Sequence, residues 1–292
     1  MNASSTSPES EPIITDLDFL KFKEFFYRRT GISFDASKRY FVDKRLVERI
    51  EATGTGNFRG YFTLLRCQES DEEIQQLTNA MTVNETYFLR EEYQFKCLVD
   101  SILPEIVRRE RDPGLLRIWC IPSSSGEEPY SIAMYLLEHW PGIADWDVEI
   151  VSSDIDTSIL RRARAARYSV RSVQNVPARW LAKYFKPVGD EYQLSDDLRE
   201  AVEFTRVNLA EPDDTAVYRN FDVIFCRNLL IYFDDQSRKN ATDIFYEALN
   251  PGGYICLGHS ESMSRISSLF EVRKFPEAIV YRKRLEARLE AR

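Results

Sequence analysis

The sequence predicts an α/β protein, a doubly wound and mostly parallel sheet preceded by a separate helical domain. Three observations carry this. From about residue 115, apolar runs of strand length alternate with helical stretches, the pattern of βαβ units. Upstream, residues 16–85 show helical spacing without strand alternation. Between about 168 and 206 the alternation is interrupted, which predicts a small inserted antiparallel β-subdomain. With 292 residues, 43% of them hydrophobic, the chain is long enough for two cores.

The elements follow in order. Residues 1–15 are rich in Ser, Glu and Pro, have neither a basic start nor an apolar run, and read as a disordered tail rather than a secretory signal. Asp16 or Asp18 caps a first helix running to about residue 28, with Phe19, Phe22 and Phe26 on its apolar face and Thr30-Gly31 ending it. Further helices are expected over 36–52, 58–69 and 71–81, which completes a domain at 16–85. The remainder, 86–292, forms the sheet domain. Its strands are expected at 117–121, 148–153, 221–226 and 254–258, the last preceded by a turn at Pro251-Gly252-Gly253. Its helices are expected at 127–140, 156–167 and 236–249. Segments 271–275 and 278–282 read as a terminal hairpin, and the Arg/Glu-rich end, 282–292, as helical. In the insert, 192–194 and 202–204 are the expected short strands.

Composition removes several classes of function. The longest apolar runs are strand-sized, far below the roughly 20 residues of a membrane span. Five scattered cysteines without a C-x-x-C pair and only two histidines argue against a disulfide framework or a zinc site, and for a reducing cytoplasm. A net charge of −8 disfavours a nucleic-acid binder. No metal is expected.

Ligands of open α/β sheets sit beyond the carboxyl ends of the strands. The first strand leads into Ser123-Ser124-Ser125-Gly126-Glu127, a small-residue turn before a helix that lets a ligand approach the backbone. It matches neither the triphosphate loop nor G-x-G-x-x-G. Asp154 ends the second strand, where a carboxylate suits ribose hydroxyls. Glu127 opens a helix; it either binds a cationic ammonium group or complements the helix dipole, and taken alone the dipole reading is the simpler. A nucleoside with a cationic amino-acid tail, S-adenosylmethionine, fits these parts, and spacing alone leaves a dinucleotide as a rival. Gly258-His259-Ser260-Glu261-Ser262 lacks the final Gly of the hydrolase elbow, so a hydrolase is disfavoured.

Several segments resemble the CheR-type chemotaxis-receptor methyltransferases. They are Asn84-Glu85-Thr86-Tyr87-Phe88-Leu89-Arg90, Gly126-Glu127-Glu128-Pro129-Tyr130-Ser131, Ser153-Asp154-Ile155-Asp156, Cys226-Arg227-Asn228-Leu229-Leu230-Ile231-Tyr232-Phe233 and Gly258-His259-Ser260-Glu261. Their order and spacing match that family over roughly residues 16–283. The resemblance implies a seven-stranded, Rossmann-like methyltransferase sheet with an N-terminal helical domain and an inserted β-subdomain. It also implies methyl transfer from S-adenosylmethionine to glutamate side chains of chemoreceptors, giving S-adenosylhomocysteine. Cofactor contacts carry over onto Asn84, Thr86, Arg90, Glu127, Asp154, Asn208, Leu209, Asn228 and Leu229, with Asp156 as a helix cap.

A glutamate carboxylate is ionised at neutral pH, so transfer to it requires no general base. Arg90 and Tyr232 are the candidates for positioning the reacting groups. The expected partner is the cytoplasmic signalling domain of methyl-accepting chemoreceptors, met by the basic helix 36–52 (Lys38, Arg39, Lys44, Arg45, Arg49) and by the insert; contact with the membrane is only through that receptor. The chain departs from the family at Ile121-Pro122-Ser123, where small residues are usual and Pro122 removes an N–H. That departure motivates a second reading, a non-catalytic S-adenosylmethionine-binding regulatory module.

Overall fold

A computed structural model describes residues 14–67, 71–110 and 114–285. The chain divides after Thr82 into two compact units.

The first unit is helical: α1 (Asp16–Thr30), α2 (Arg39–Thr53), α3 (Phe58–Cys67) and α4 (Glu72–Met81), with a 3-10 turn, Ala36–Lys38, leading into α2. The cap of α1 differs from expectation. Thr15, assigned to the tail, is the N-cap, and Asp18 closes a capping box with it. Ile14 is buried as well, while residues 1–13 of the expected tail lie outside the described residues. The helix runs two residues longer than expected and ends at Gly31 in the left-handed region. Phe22, Phe26, Leu46, Tyr61 and Leu77 form the core. Arg49 holds Glu73 with two bonds, of 2.9 and 2.5 Å, and Glu73 also accepts the Tyr61 hydroxyl at 2.7 Å. Arg39 is tied to Asp16 and Asp43, and Arg45 to Glu48 and the Ala80 carbonyl. Three of the five cations expected to form a docking face are thus engaged within this unit, and Lys38 and Lys44 are exposed.

The second unit opens with α5 (Tyr93–Cys97) and α6 (Leu103–Glu110), joined by a π-helical turn, Leu98–Ile102. No element was expected over this stretch. The wider turn lies just before Pro104, whose ring cannot sit against a carbonyl four residues back. There follow β1 (Leu115–Cys120), α7 (Glu127–His139), β2 (Asp147–Asp154), α8 (Thr157–Ala165), β3 (Arg167–Ser169), α9 (Ala178–Tyr184), β4 (Phe185–Val188) and β5 (Glu191–Leu194). Then come α10 (Asp196–Glu200), β6 (Val202–Arg206), α11 (Pro212–Thr215), β7 (Phe221–Cys226), α12 (Asp235–Ala248), β8 (Leu249–Leu257), β9 (Phe270–Lys274) and β10 (Ile279–Lys283).

Seven strands form one sheet in the order β6-β2-β1-β7-β8-β10-β9, with only β10 antiparallel to the rest. The predicted terminal hairpin is this β9–β10 pair. Arg282 and Lys283 belong to it rather than to a helix, and residues 286–292 lie outside the described residues. Two further expectations are corrected. Val202–Arg206 does not belong to the insert; it pairs in parallel with β2 and forms an edge of the main sheet, because its apolar Val202 and Phe204 are buried beside Ile150. The insert's own three-stranded sheet is β3-β5-β4 and ends at Leu194. Pro251-Gly252-Gly253 lies within β8, as a bulge opposite the start of β7, rather than in a turn before it.

Side chains of β1 alternate between two cores. Leu116, Ile118 and Cys120 face the core shared with α5–α7, and Trp119 faces the opposite layer, stacked on Tyr218 and Phe221 and met edge-on by Phe245 of α12.

At the carboxyl ends of the strands lies a buried charge. Arg227, just past β7, donates to Glu128 of α7 at 2.7 Å and to the Arg90 carbonyl at 2.7 Å, and lies 3.1 Å from Glu91. Its ring partner is Phe95. Leu89 and Glu91 both have φ near +60°, so the chain around Arg90 holds a conformation that the Arg227 anchor maintains.

Replacing Trp119 with Ala is expected to cost about 3–5 kcal/mol in urea denaturation, through the cavity it leaves. Arg227→Met is expected to cost a similar ~3–5 kcal/mol, because Glu128 and Glu91 keep their burial and lose their counter-charge. Adding Glu128→Gln recovers part of that loss in the same measurement.

Candidate active site

The parallel strands β6, β2, β1, β7 and β8 place five loops side by side on one rim, and the direction of winding reverses between β1 and β7. The loop after β1 is held from both neighbouring strands. The N–H of Ile121 donates to Phe225 of β7 at 2.9 Å, and that of Ser123 to Ser153 of β2 at 2.7 Å. The amides flanking Pro122 are therefore both used, and its missing donor does not break the loop's attachment. Gly126 ends the loop with φ +93° and a Cβ there would meet Tyr130, Ala163 and Phe204 at 3.0–3.2 Å, so only glycine fits.

Asp154, 4% exposed, closes β2. Its Oδ2 accepts the Ser124 N–H at 2.8 Å and its Oδ1 the Asp156 N–H at 2.9 Å. It thus shapes the β1 loop as well as standing at the position expected for ribose. Burial pushes its carboxyl up to about 6 against the pull of those N–H donors. Asp156 caps α8 as expected, accepting from Ser158 and Ile159, and its other oxygen accepts Asn84 Nδ2 at 2.9 Å. That bond brings the Asn84 segment to the end of β2.

Glu127 begins α7 and is 3% exposed. Its Oε2 accepts the Ser125 hydroxyl and its Oε1 the Ser172 hydroxyl, each at 2.7 Å. Burial raises its carboxyl, and those hydroxyls together with the more distant Arg162 oppose the shift. A carboxylate this deep does more than complement a helix dipole, which an exposed acid would serve as well. Asn208 follows β6, with its Oδ1 accepting Ala210 N–H at 3.0 Å in an Asx turn, and Leu209 is half-buried beside it. Val207 N–H donates to the Asp154 carbonyl at 3.0 Å, so this pair lies beside the β2 end.

On the far side of the switch point, Asn228 has φ +58° and Leu229 is half-buried. The 3-10 turn Leu230–Tyr232 follows. One carboxylate fixes this segment. Glu261 accepts the N–H groups of Asn228 and Gly258 on Oε2, at 2.8 and 2.9 Å, and that of Leu230 on Oε1 at 2.8 Å. A Cβ at Gly258 would lie 2.9 Å from Glu261 Oε2 and 3.1 Å from Asn228 N, so glycine is required there as well. Tyr232 is half-buried, and its hydroxyl is raised by burial and by Glu85 and Glu261, with Arg90 acting in the opposite direction. It therefore stays protonated at neutral pH and can donate a hydrogen bond. Arg90 donates to the Glu85 carbonyl at 2.9 Å, and its guanidinium lies 5.8 Å from the Tyr87 ring centre.

The structure therefore gathers Asn84, Glu127, Asp154 and Asn208-Leu209 around the ends of β1, β2 and β6, and Arg90, Asn228-Leu229 and Tyr232 around β7. Thr86, half-exposed, sits on the segment between Asn84 and Arg90. Sequence reasoning assigned no role to Arg227, Glu261 or Ser172. The first two stand inside quoted motifs, but a motif does not say which backbone groups a side chain will hold. No local pattern around Ser172 marks it.

The donor set fits S-adenosylmethionine. The hydroxyls of Ser123 and Ser124 are buried without a hydrogen-bond partner, so the β1 loop presents polar groups to a ligand. Asp154 and Glu127 add two buried carboxylates beside that loop. Among the described residues no cluster of His, Cys, Asp and Glu could hold a metal, and no helix is long and apolar enough to cross a membrane.

The "CheR methyltransferase, SAM binding domain" family model matches residues 84–279, and the "CheR methyltransferase, all-alpha domain" model matches residues 17–82. Chemotaxis protein methyltransferase 2 of Vibrio cholerae is 56% identical over 276 residues, covering 94% of this chain and 95% of the relative. Chemotaxis protein methyltransferase 2 of Pseudomonas aeruginosa is 36% identical over 276 residues, with 92% and 96% coverage. The chemotaxis protein methyltransferase of Salmonella typhimurium is 35% identical over 264 residues, with 89% and 88% coverage. The chain belongs to the CheR methyltransferase family, and S-adenosylmethionine is its cofactor.

Proposed function

We propose that this chain methylates glutamate side chains of cytoplasmic chemoreceptor domains, forming glutamate methyl esters and S-adenosylhomocysteine, and so serves adaptation in chemosensory signalling. The observation that carries this reading is the two-sided rim: buried acids on the β1–β2–β6 side, and a cation beside a protonated phenol on the β7 side. Bound there, S-adenosylmethionine supplies an electrophilic methyl group on a sulfonium centre. Asp154 accepts the ribose hydroxyls and Glu127 the ammonium group. Asn84, Thr86, Asn208, Leu209, Asn228 and Leu229 line the same rim.

Arg90 and Tyr232 fit a carboxylate nucleophile. Arg90 offers guanidinium N–H donors, and the Tyr232 hydroxyl donates because its proton is held firmly. Neither removes a proton, and none has to be removed from an ionised glutamate. Their contribution is alignment and the replacement of water around the incoming carboxylate. For docking, exposed Lys38 and Lys44 remain on the helical unit as attractants for an acidic receptor surface. The outer strands β3 and β4 of the insert provide edges for a receptor tail peptide. Loss of retention in a receptor-peptide pull-down, once those edges are mutated, is the expected result.

The chemistry is tested by labelled methyl transfer to receptor-enriched membranes. An ester releases its label as volatile methanol in mild alkali; label that resists alkali overturns the glutamate assignment. Tyr232→Phe is expected to slow this transfer about 10- to 100-fold with little change in S-adenosylhomocysteine affinity, as expected for loss of one donor to a charged group.

Asp154→Ala is expected to weaken S-adenosylhomocysteine binding by about 1–3 kcal/mol in titration calorimetry. Because the Asp154 carboxyl titrates near 6 in the free protein, affinity is full above that pH and falls as pH drops through it; Asp154→Asn removes that inflection. The unliganded protein shows the opposite sign. An acid whose folded pKa is raised holds its proton more tightly when folded, so stability falls as pH rises between about 4 and 6. Urea midpoints across that window, with and without Asp154→Asn, check this.

A further inference from the structure

The inserted β-subdomain lies against the cofactor rim at three bonds. Ser172, in the loop after β3, donates its hydroxyl to Glu127 Oε1 at 2.7 Å, and its carbonyl accepts the Phe88 N–H at 3.0 Å. Tyr168 of β3, fully buried, donates to the Ser125 carbonyl at 2.9 Å. The Phe88 ring is wedged edge-on between Tyr168 at 4.7 Å and Phe185 of β4 at 5.2 Å. Two residues beyond Phe88 stands Arg90. One short stretch of the insert thus touches the acid at the head of α7, the β1 loop and the segment that carries Arg90.

We propose that Ser172 is a positioning residue of the cofactor site, holding the Glu127 carboxylate toward the ligand, and that the insert is a working wall of that site rather than only a docking appendage. This rests on the reading of Glu127 as the acid for the cofactor's ammonium group.

Glu127 is nearly inaccessible, so each hydrogen bond to it counts for more than it would in water. Its two oxygens are held by two hydroxyls, one from its own loop and one from the insert. Removing Ser172 leaves Oε1 free to turn and the ionised form less favoured. The charged and titratable groups facing this carboxylate are Arg162 of α8 and Tyr168 of β3. The Ser172 hydroxyl joins Arg162 in stabilising the charge, so its loss moves the Glu127 titration upward.

The test is titration calorimetry of the full chain with S-adenosylhomocysteine over a range of pH, for wild type, Ser172→Ala, Ser172→Thr and Glu127→Gln. Ser172→Ala is expected to lose about tenfold in affinity at neutral pH, the effect of one hydrogen bond to a charged group. Ser172→Thr, which keeps the hydroxyl, restores most of it. In Ser172→Ala the fall of affinity on acidification begins at a higher pH than in wild type, a shift that a merely loosened insert would not produce. If Glu127→Gln weakens binding while Ser172→Ala matches wild type in affinity and pH profile, the proposal is overturned and the reading of Glu127 stands. If Glu127→Gln binds like wild type, that reading fails instead, and the proposal fails with it. Should Ser172→Ala not fold, Ser172→Cys keeps the volume with a weak donor and is expected to show the same two changes in smaller measure; wild-type behaviour of a folded Ser172→Cys protein overturns the proposal.

Discussion

Arg227 is the charge around which the rim is built. It reaches from the end of β7 to Glu128 on α7 and to the Arg90–Glu91 segment, so three stretches distant in sequence share one buried guanidinium. A buried ion pair of this kind adds little net stability over an apolar contact of similar volume, because desolvation offsets most of the attraction. Its value here is geometric. An apolar side chain in that place would fill the space but would not hold the Arg90 carbonyl or select the backbone conformation of Leu89 and Glu91. Burial pushes Glu128 up and Arg227 pulls it back, so the site tolerates the acid only with its partner in place.

The two sides of the rim use backbone amides in the same way. Asp154 gathers N–H groups from the β1 loop and its own turn, and Glu261 gathers them from the ends of β7 and β8. Each carboxylate trades the flexibility of a loop for a fixed shape. Gly126 and Gly258 are the complement of this arrangement, since the close approaches leave no room for a Cβ. The ligand-facing groups are consequently carried on loops but held almost as firmly as if they stood on strands.

Much of this was legible in the sequence. Strand–helix alternation located the parallel core, and apolar spacing located α1 to α4. Asp154 could be singled out from its place at a strand end, whereas a helix start left Glu127 open to the simpler dipole reading, and only the family resemblance pointed it to the cofactor. The failures have distinct physical causes. Val202–Arg206 looked like a strand of the insert because an edge strand paired on one side carries the same short alternation in either sheet; only pairing with β2 decides it. The helical stretch before β1 was not assigned; it holds a π turn just ahead of Pro104. The docking face on α2 was read from charge spacing alone, and spacing cannot reveal that Arg49 is spent on Glu73, which also accepts the Tyr61 hydroxyl, inside the helical unit. Ser172 was invisible because a serine in a loop has no sequence mark until the fold brings an acid to it.

The Glu261 clamp has a consequence for motion. One carboxylate holds amides from two loops, so solvent cannot reach any of the three without rotation of the same side chain or parting of the loops. Hydrogen exchange at Asn228, Leu230 and Gly258 therefore belongs to a shared opening event, with a common protection factor rather than three independent ones. Breathing of the rim on this side is cooperative, and the turn bearing Tyr232 moves with the end of β8 or not at all.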